Sequence, residues 1–422
     1  MQDYRNMKLW KDVSQEEWND WRWQIRNRIT TLEQLEKIIT LDEEEKAGIK
    51  KCLAMFRMAI SPYYTTLMAP DNPICPIRMQ SVPSVQETKV CENDMLDPLA
   101  EDKDSPTPGI THRYPDRVLF IVTDQCSMYC RHCTRRRVTG VTDKKRSEEE
   151  ISRAIEYIRQ TKIVRDVLIS GGDPLSLGDD ALEDIVKRVR AIDTVEIIRI
   201  GTRMPVVLPM RITEKLAEML QKYHPVWINM QFNHPYEVTS ESAKACDILT
   251  RAGIPLGNQS VLLKGVNDCP HIMKRLVLDL LKIRVRPYYL YQCDLSVGIE
   301  RFRTSVGKGI EIVERLRGYT SGLAVPTFVI DAPGGGGKIP ISPQYMLSRS
   351  DKKIIVRNYE GTISAYTEPE QGESKCCKCG VCKGVFKEDD IGIARLFSGK
   401  AVSMTPTGVG QRHLLYNKEF HA

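Results

Sequence analysis

The sequence lacks any apolar run near the ~18 consecutive residues of a membrane-spanning helix, so no membrane partner is expected. Met1 to Trp10 also lacks the apolar core of a signal peptide. Charge of one sign is scarce: 61 basic against 55 acidic residues leave +6 over 422 positions. That balance, with no interleaving of aromatic and basic residues, argues against a nucleic-acid partner. A metal-dependent RNA-binding protein using Arg135–Arg137 and a zinc knuckle is the non-enzyme alternative. With 41% hydrophobic and 27% charged residues there is material for a large core, which excludes wholesale disorder. An odd count of 13 cysteines without a signal segment argues against a disulfide framework and for a reducing, cytoplasmic setting.

What is present begins with a helical and irregular N-terminal region over 1–110. Ser14 followed by Glu17 fits a capping box ahead of Trp18, Trp21 and Trp23, which are expected to pack inward. A second helix is expected from Asp42 to about Ile60, stopping before Pro62. The Pro-rich, acidic stretch 68–110 reads as an ordered loop or wrapping arm. From 111 to 340 strands and helices alternate, starting with the apolar strand Arg117–Thr123, expected to be buried on both faces. Strands follow at 164–170, 195–201, 226–232, 256–263, 286–293 and 326–330, separated by helices. Such alternation means a parallel sheet with right-handed crossovers. A full or partial (β/α) barrel fits better than a doubly wound sheet, because no Gly-x-Gly-x-x-Gly follows the first strand. Residues 341–422 hold strand-like pieces at Lys353–Arg357 and Ile363–Thr367 and a Cys-rich knuckle.

In a parallel barrel, catalytic groups sit at the carboxyl ends of strands. The first strand is followed by Cys126-Ser-Met-Tyr-Cys130-Arg-His-Cys133. Three thiolates in one loop suit either a four-iron cluster with one open iron or a structural zinc site with a remote fourth ligand. The second strand ends in Ser170-Gly171-Gly172-Asp173, where consecutive glycines let a ligand come close and Asp173 can accept from an ammonium; a simple turn is the alternative. On these two motifs the chain resembles the radical S-adenosylmethionine superfamily. The resemblance implies that Cys126, Cys130 and Cys133 hold a [4Fe–4S] cluster and that Gly171, Gly172 and Asp173 contact S-adenosylmethionine (SAM).

The last strand leads into Asp331-Ala-Pro-Gly-Gly-Gly-Gly-Lys338. This is no phosphate loop: Ala332 takes the first glycine position and Ile339 follows the lysine. Lys338 is instead a candidate desolvated, Schiff-base-forming amine. A pyridoxal phosphate (PLP) partner would need cations, which His112–Arg117 and Arg135–Arg137 offer. Together with Asn258-Gln259-Ser-Val-Leu-Leu and Trp18-Asn-Asp-Trp-Arg-Trp-Gln24, these segments are similar to the lysine 2,3-aminomutase family over nearly the whole chain.

That resemblance implies a partial parallel (β/α) barrel of radical SAM type, a helical N-terminal region and a small C-terminal zinc-binding tail. It implies PLP on Lys338 near Arg113, Tyr114 and Arg117, the substrate carboxylate on Arg135, and Gln259 beside SAM. Asp294 and Asp331 end two strands, and two converging carboxylates suit the ε-ammonium of lysine. Arginine also ends in a cation; glutamate-specific relatives carry non-acidic residues there. An ion pair with Arg301 or Arg303 is the structural alternative for either acid. Met230-Gln231 departs from the Thr-His of the lysine enzymes.

Cys377, Cys379 and Cys382, with Cys376 adjacent, have the spacing of structural zinc. The resemblance adds Cys269, from a neighbouring subunit, as fourth ligand, with Cys376 spare; an auxiliary iron–sulfur cluster is the rival. It also implies a homo-oligomer, dimer or tetramer, and an electron donor such as flavodoxin or ferredoxin.

Overall fold

The computed structural model describes residues 2–350 and 352–369, so Cys376, Cys377, Cys379 and Cys382 lie outside the described residues. The described chain forms two units, one through Pro343 and one from Gln344.

The N-terminal helices start where their caps demand. Ser14 and Glu17 satisfy each other's backbone amides at the head of Gln15–Asn19. Asp20 ends that helix and caps the next, Trp21–Arg26. Trp10, Trp18 and Trp21 are buried, and Tyr4 stacks on Trp18 with ring centroids 4.0 Å apart. Asp42 opens a second capped helix, but it spans Glu43–Leu53 and stops short of Ile60. Ile60 instead exchanges backbone hydrogen bonds with Ile29 (2.8 and 3.0 Å), and Pro62 starts a new turn, where its missing N–H is no loss.

Nine strands form one sheet in sequence order: β1 (Ile110–Tyr114), β2 (Arg117–Ile121), β3 (Asp166–Ser170), β4 (Ile197–Gly201), β5 (Val226–Met230), β6 (Leu256–Leu262), β7 (Arg286–Gln292), β8 (Thr327–Ala332) and β9 (Gly337–Pro340). β2 through β8 are parallel, and each successive pair is joined by a crossover helix. The helices bury apolar stripes such as Ile151, Ala154, Ile155 and Ile158 against the outside of the sheet. Antiparallel strands β1 and β9 flank the parallel run and escaped the sequence reading. They are short, and their residues (Ile110-Thr-His-Arg-Tyr, Gly337-Lys-Ile-Pro) carry little apolar pattern.

β1 and β9 do not pair, so the barrel stays open. Tyr114 bridges the seam: its hydroxyl accepts from the Lys338 backbone N–H at 2.9 Å. Gly337 packs against that ring with φ +82°, and a Cβ there would lie 3.0 Å from the hydroxyl.

One expectation needs correction. β2 is not buried on both faces: Val118 and Phe120 are buried, whereas Arg117, Leu119 and Ile121 are partly exposed. The same alternation puts Asp166 and Leu168 of β3, and Arg199 of β4, on a cavity-lining face. The interior is an open cavity rather than packed layers, so strands read apolar outward and mixed inward.

The second unit contains a three-stranded antiparallel sheet: β10 (Met346–Arg349), β11 (Lys353–Arg357) and β12 (Ile363–Thr367). Among the described residues no helix is long and apolar enough to cross a membrane.

Candidate active site

The mouth of the barrel opens into a cavity of about 740 Å³. Its wall carries Cys126, Cys130 and Cys133; Gly171, Gly172 and Asp173; Arg113, Tyr114, Arg117 and Gln259; Arg135, Asp294, Asp331 and Lys338. Cys269 stands apart, at the N-cap of the helix Pro270–Lys282 and partly exposed.

The cysteine loop leaves β2 and is held from the N-terminal side. Arg28 donates to the Cys126 carbonyl and pairs with Asp143, while the Tyr129 and Arg131 amides bond Ala59 and Gln80 carbonyls at 2.9 Å. Burial pushes the Cys126 thiol well up, and the nearby Asp173, Cys133 and Cys130 add to it. Burial and Cys130 do the same to Cys133. Three clustered thiolates in such a place need positive charge beside them. Arg203, at the carboxyl end of β4, provides some: its Nη1 lies 2.8 Å from Cys130 Sγ.

Gly171 and Gly172 pack against this same loop. A Cβ on Gly171 would fall 2.3 Å from the Thr123 carbonyl oxygen, and one on Gly172 2.3 Å from that of Gln125. The Gly172 and Asp173 amides donate to those carbonyls at 2.7 Å. The close approach read from the sequence is thus an approach of one loop to another. Asp173 ties in β4 as well, accepting from Thr202 Oγ1 and the Arg203 amide at 2.7 Å and from the Leu175 amide. Burial pushes its carboxyl up to about 6 against these donors.

Across the cavity lie Lys338 and the two acids. Lys338 is on β9, where it registers with Asp331 of β8. Its Nζ sits 3.2 Å from Asp331 Oδ2 and 5.4 Å from the Tyr291 ring centroid. Asp294 accepts from the Thr134 hydroxyl, one residue past Cys133. Burial, reinforced by the charge of Asp331, pushes Asp294 up to about 6 despite that bond. Among the described residues neither acid has an arginine partner: Arg303 pairs with Asp94 and reaches only the Asp294 main-chain carbonyl, and Arg301 pairs with Glu87.

The arm predicted over 68–110 supplies acids to the arginines of the rim. Glu101 grips Arg135 through Nε and Nη2 (2.7–3.0 Å), and Asp104 holds Arg113 at 2.8 Å. Arg136 is buried on Glu87 and the Phe56 ring, and Arg137 pairs with Asp97 and Asp102. Arg136 and Arg137 are therefore not free phosphate cations. Arg117 lies over the Tyr114 ring at 4.0 Å.

Family models match in two places: the Radical SAM superfamily over residues 120–276 and Lysine-2,3-aminomutase over 313–420. The chain is 58% identical over 405 residues to L-lysine 2,3-aminomutase of Acetoanaerobium sticklandii, covering 96% of this chain and 98% of that one. It is 57% identical to the Clostridium subterminale enzyme of the same name, covering 97% of this chain and 99% of that one. Glutamate 2,3-aminomutase of Clostridioides difficile is 48% identical over 83% of each chain. The chain belongs to the lysine 2,3-aminomutase family.

Members of this radical SAM family use a [4Fe–4S] cluster and SAM, with PLP as the class cofactor. The donor set here fits the cluster. Three cysteines line one cavity beside the Arg203 guanidinium, which suits a cluster that takes one thiolate on each of three irons. The fit to PLP is the Lys338 amine over the Tyr291 ring, its backbone N–H on the Tyr114 hydroxyl, with Arg113 and Arg117 on the same wall.

Sequence reasoning missed some of the aminomutase site. Arg203 follows the end of β4, so the rule that found the cysteines and Gly171 also reaches it. Tyr291, Asp166 and Arg199, the last two paired at 2.8 Å, sit inside strands. Their signal was a polar residue in an otherwise apolar strand. Glu101 and Thr134 had no signal, because only tertiary contact reveals their partners.

Proposed function

We propose that this chain interconverts L-lysine and L-β-lysine. The observation that carries the reading is a pair of partly buried acids and an arginine lining one cavity. Asp294 and Asp331 offer charge to an ε-ammonium, and Arg135 offers its Nη1 edge to the α-carboxylate while Glu101 holds the other edge. Asp331 already holds a lysine ammonium, that of Lys338. A γ-carboxylate in that corner would meet two like charges, which disfavours glutamate.

Bound at the cysteine loop and at Lys338, the cluster, SAM and PLP supply a radical that takes hydrogen from C3 and a ring that carries the amino group from C2 to C3. The chain's own work is placement. Gly171, Gly172 and Asp173 receive the methionyl part of SAM, and Gln259 flanks it. Arg113, Tyr114 and Arg117 lie by the phosphate. Arg135, Asp294 and Asp331 fix both ends of the substrate so that C3 faces the radical source, and the arm over the rim excludes water. Gln231 also lines the cavity, where the lysine enzymes carry histidine.

A zinc shared between subunits, from Cys377, Cys379 and Cys382 of one protomer and Cys269 of the partner subunit, belongs to the same reading, as do an acidic electron carrier such as flavodoxin or ferredoxin and a dimeric or tetrameric assembly. About one zinc per chain in purified protein supports the zinc; no zinc with about eight irons per chain replaces it by a second cluster.

The test is an anaerobic incubation of reconstituted protein with SAM, PLP, a strong reductant and equal L-lysine, L-arginine and L-glutamate, resolved by mass spectrometry. β-Lysine as sole product is expected. β-Arginine or β-glutamate would keep the chemistry and overturn the substrate. SAM cleavage with no β-amino acid would overturn both amino acid assignments.

A further inference from the structure

Arg203 lies in the cavity wall, bonded to both the cysteine loop and Asp173, and each of its three side-chain nitrogens is engaged. Nε donates to the Gln231 carbonyl at 3.1 Å, Nη2 to Gln80 Oε1 at 2.6 Å and Glu237 Oε1 at 2.8 Å, and Nη1 points at Cys130 Sγ. Glu237 is itself locked, accepting from Tyr64 Oη at 2.6 Å, Gln80, and the Asn233 and His234 amides. Gln80 and Asn233 close the network at 3.0 Å. A guanidinium held on three sides cannot turn away from the sulfur. Its main-chain amide also holds Asp173. Among the described residues, no other arginine donates to a cysteine sulfur of the loop.

We propose that Arg203 is a positioning residue that donates a charged N–H···S hydrogen bond to the Cys130 thiolate and raises the reduction potential of the cluster. This rests on the reading of Cys126, Cys130 and Cys133 as cluster ligands. Reduction adds one negative charge to a buried cluster. A fixed cation beside one ligand stabilises the reduced form more than the oxidised one. Because the same residue fastens Asp173, the potential and the SAM-binding segment share one anchor.

The first measurement is on wild-type protein reconstituted with iron and sulfide and labelled with ¹⁵N-arginine. An EPR signal of a reduced [4Fe–4S] cluster establishes the underlying reading, and its absence from iron-loaded protein sinks that reading and the inference together. With the signal in hand, pulsed EPR should show hyperfine coupling to ¹⁵N. Redox titration of Arg203→Gln should give a tenfold lower reduced-to-oxidised ratio at fixed ambient potential, about 59 mV more negative for a one-electron couple. Tyr64→Phe, which loosens Glu237 without touching the sulfur, should leave the potential in place, and Arg203→Lys should recover part of the shift. If Arg203→Gln does not fold, Arg203→Gln/Glu237→Gln removes both members of the buried pair and tests the same shift. A cluster without ¹⁵N coupling, or with the wild-type potential in the folded variant, overturns the inference.

Discussion

Two sets of shielded acids lie near the cysteine loop and the cavity, and they are solved differently. Behind the cysteine loop, Glu87 takes Arg131, Arg136 and Arg301 at 2.7, 2.6 and 3.4 Å. Burial alone would raise its carboxyl, but the three guanidinium groups outweigh it and hold it below its usual value. Glu101 is treated likewise by Arg135. In the corner of Lys338, Asp294 and Asp331 are also largely shielded, yet among the described residues no arginine is paired with their carboxylates, and burial pushes Asp294 up to about 6. The first set is finished within the protein, with cations to spare for an anionic cluster. The second has one cation, the Lys338 ammonium on Asp331, and leaves the Asp294 carboxylate poised for another. A buried acid with its arginine is architecture; a buried acid without one is a receptor for a cation.

That contrast can be broken experimentally. Lys338→Ala removes the cation of the open corner and the amine that would hold PLP; β-lysine formation should fall to the uncatalysed background by mass spectrometry, with loss of bound PLP in the visible spectrum. Glu87→Gln leaves three buried arginines without their acid and should lower unfolding free energy by about 3–5 kcal/mol in denaturant titration. An unshifted midpoint would show that the finished set is not structural. Asp294→Asn should raise KM for lysine by roughly tenfold to a hundredfold, ~1.5–3 kcal/mol for a hydrogen bond to a charged group, while unfolding barely changes.

The pH dependence follows in sign. Because the Asp294 carboxyl is raised to about 6, it is charged above that value and neutral below it. kcat/KM for lysine should therefore fall as pH drops through about 6, and Asp294→Asn should flatten that limb. Glu101→Gln should give the smallest effect, a severalfold rise in KM as Arg135 loses its lock, with kcat little changed.

Legibility in the sequence tracked the range of the interaction. Capping residues marked the starts of the helices at Gln15 and Glu43, because a cap is a contact over three residues. The Leu53 stop was hidden, and the pairing of Ile60 with Ile29 that keeps Ile60 out of the helix is a contact across the fold. The parallel strands were readable from apolar runs, but the inward alternation of Arg117, Asp166 and Arg199 was not, because it depends on the barrel enclosing a cavity instead of packed side chains. The Gly171-Gly172 pair was found for the close approach to a ligand that it allows, and the structure shows the cysteine loop's own backbone against it.

By itself, then, the sequence determined which groups carry the chemistry: three thiols spaced four and three apart, a lysine after four glycines, and acids at two strand ends. Those are local facts of covalent spacing. Only the tertiary structure decided which charges are spent and which remain. It paired Arg136 and Arg137 with the arm, spared Asp294 and Asp331 from Arg301 and Arg303, and aimed Arg203 at Cys130. Such choices belong to residues far apart in the chain, where burial makes each pairing strong enough to matter.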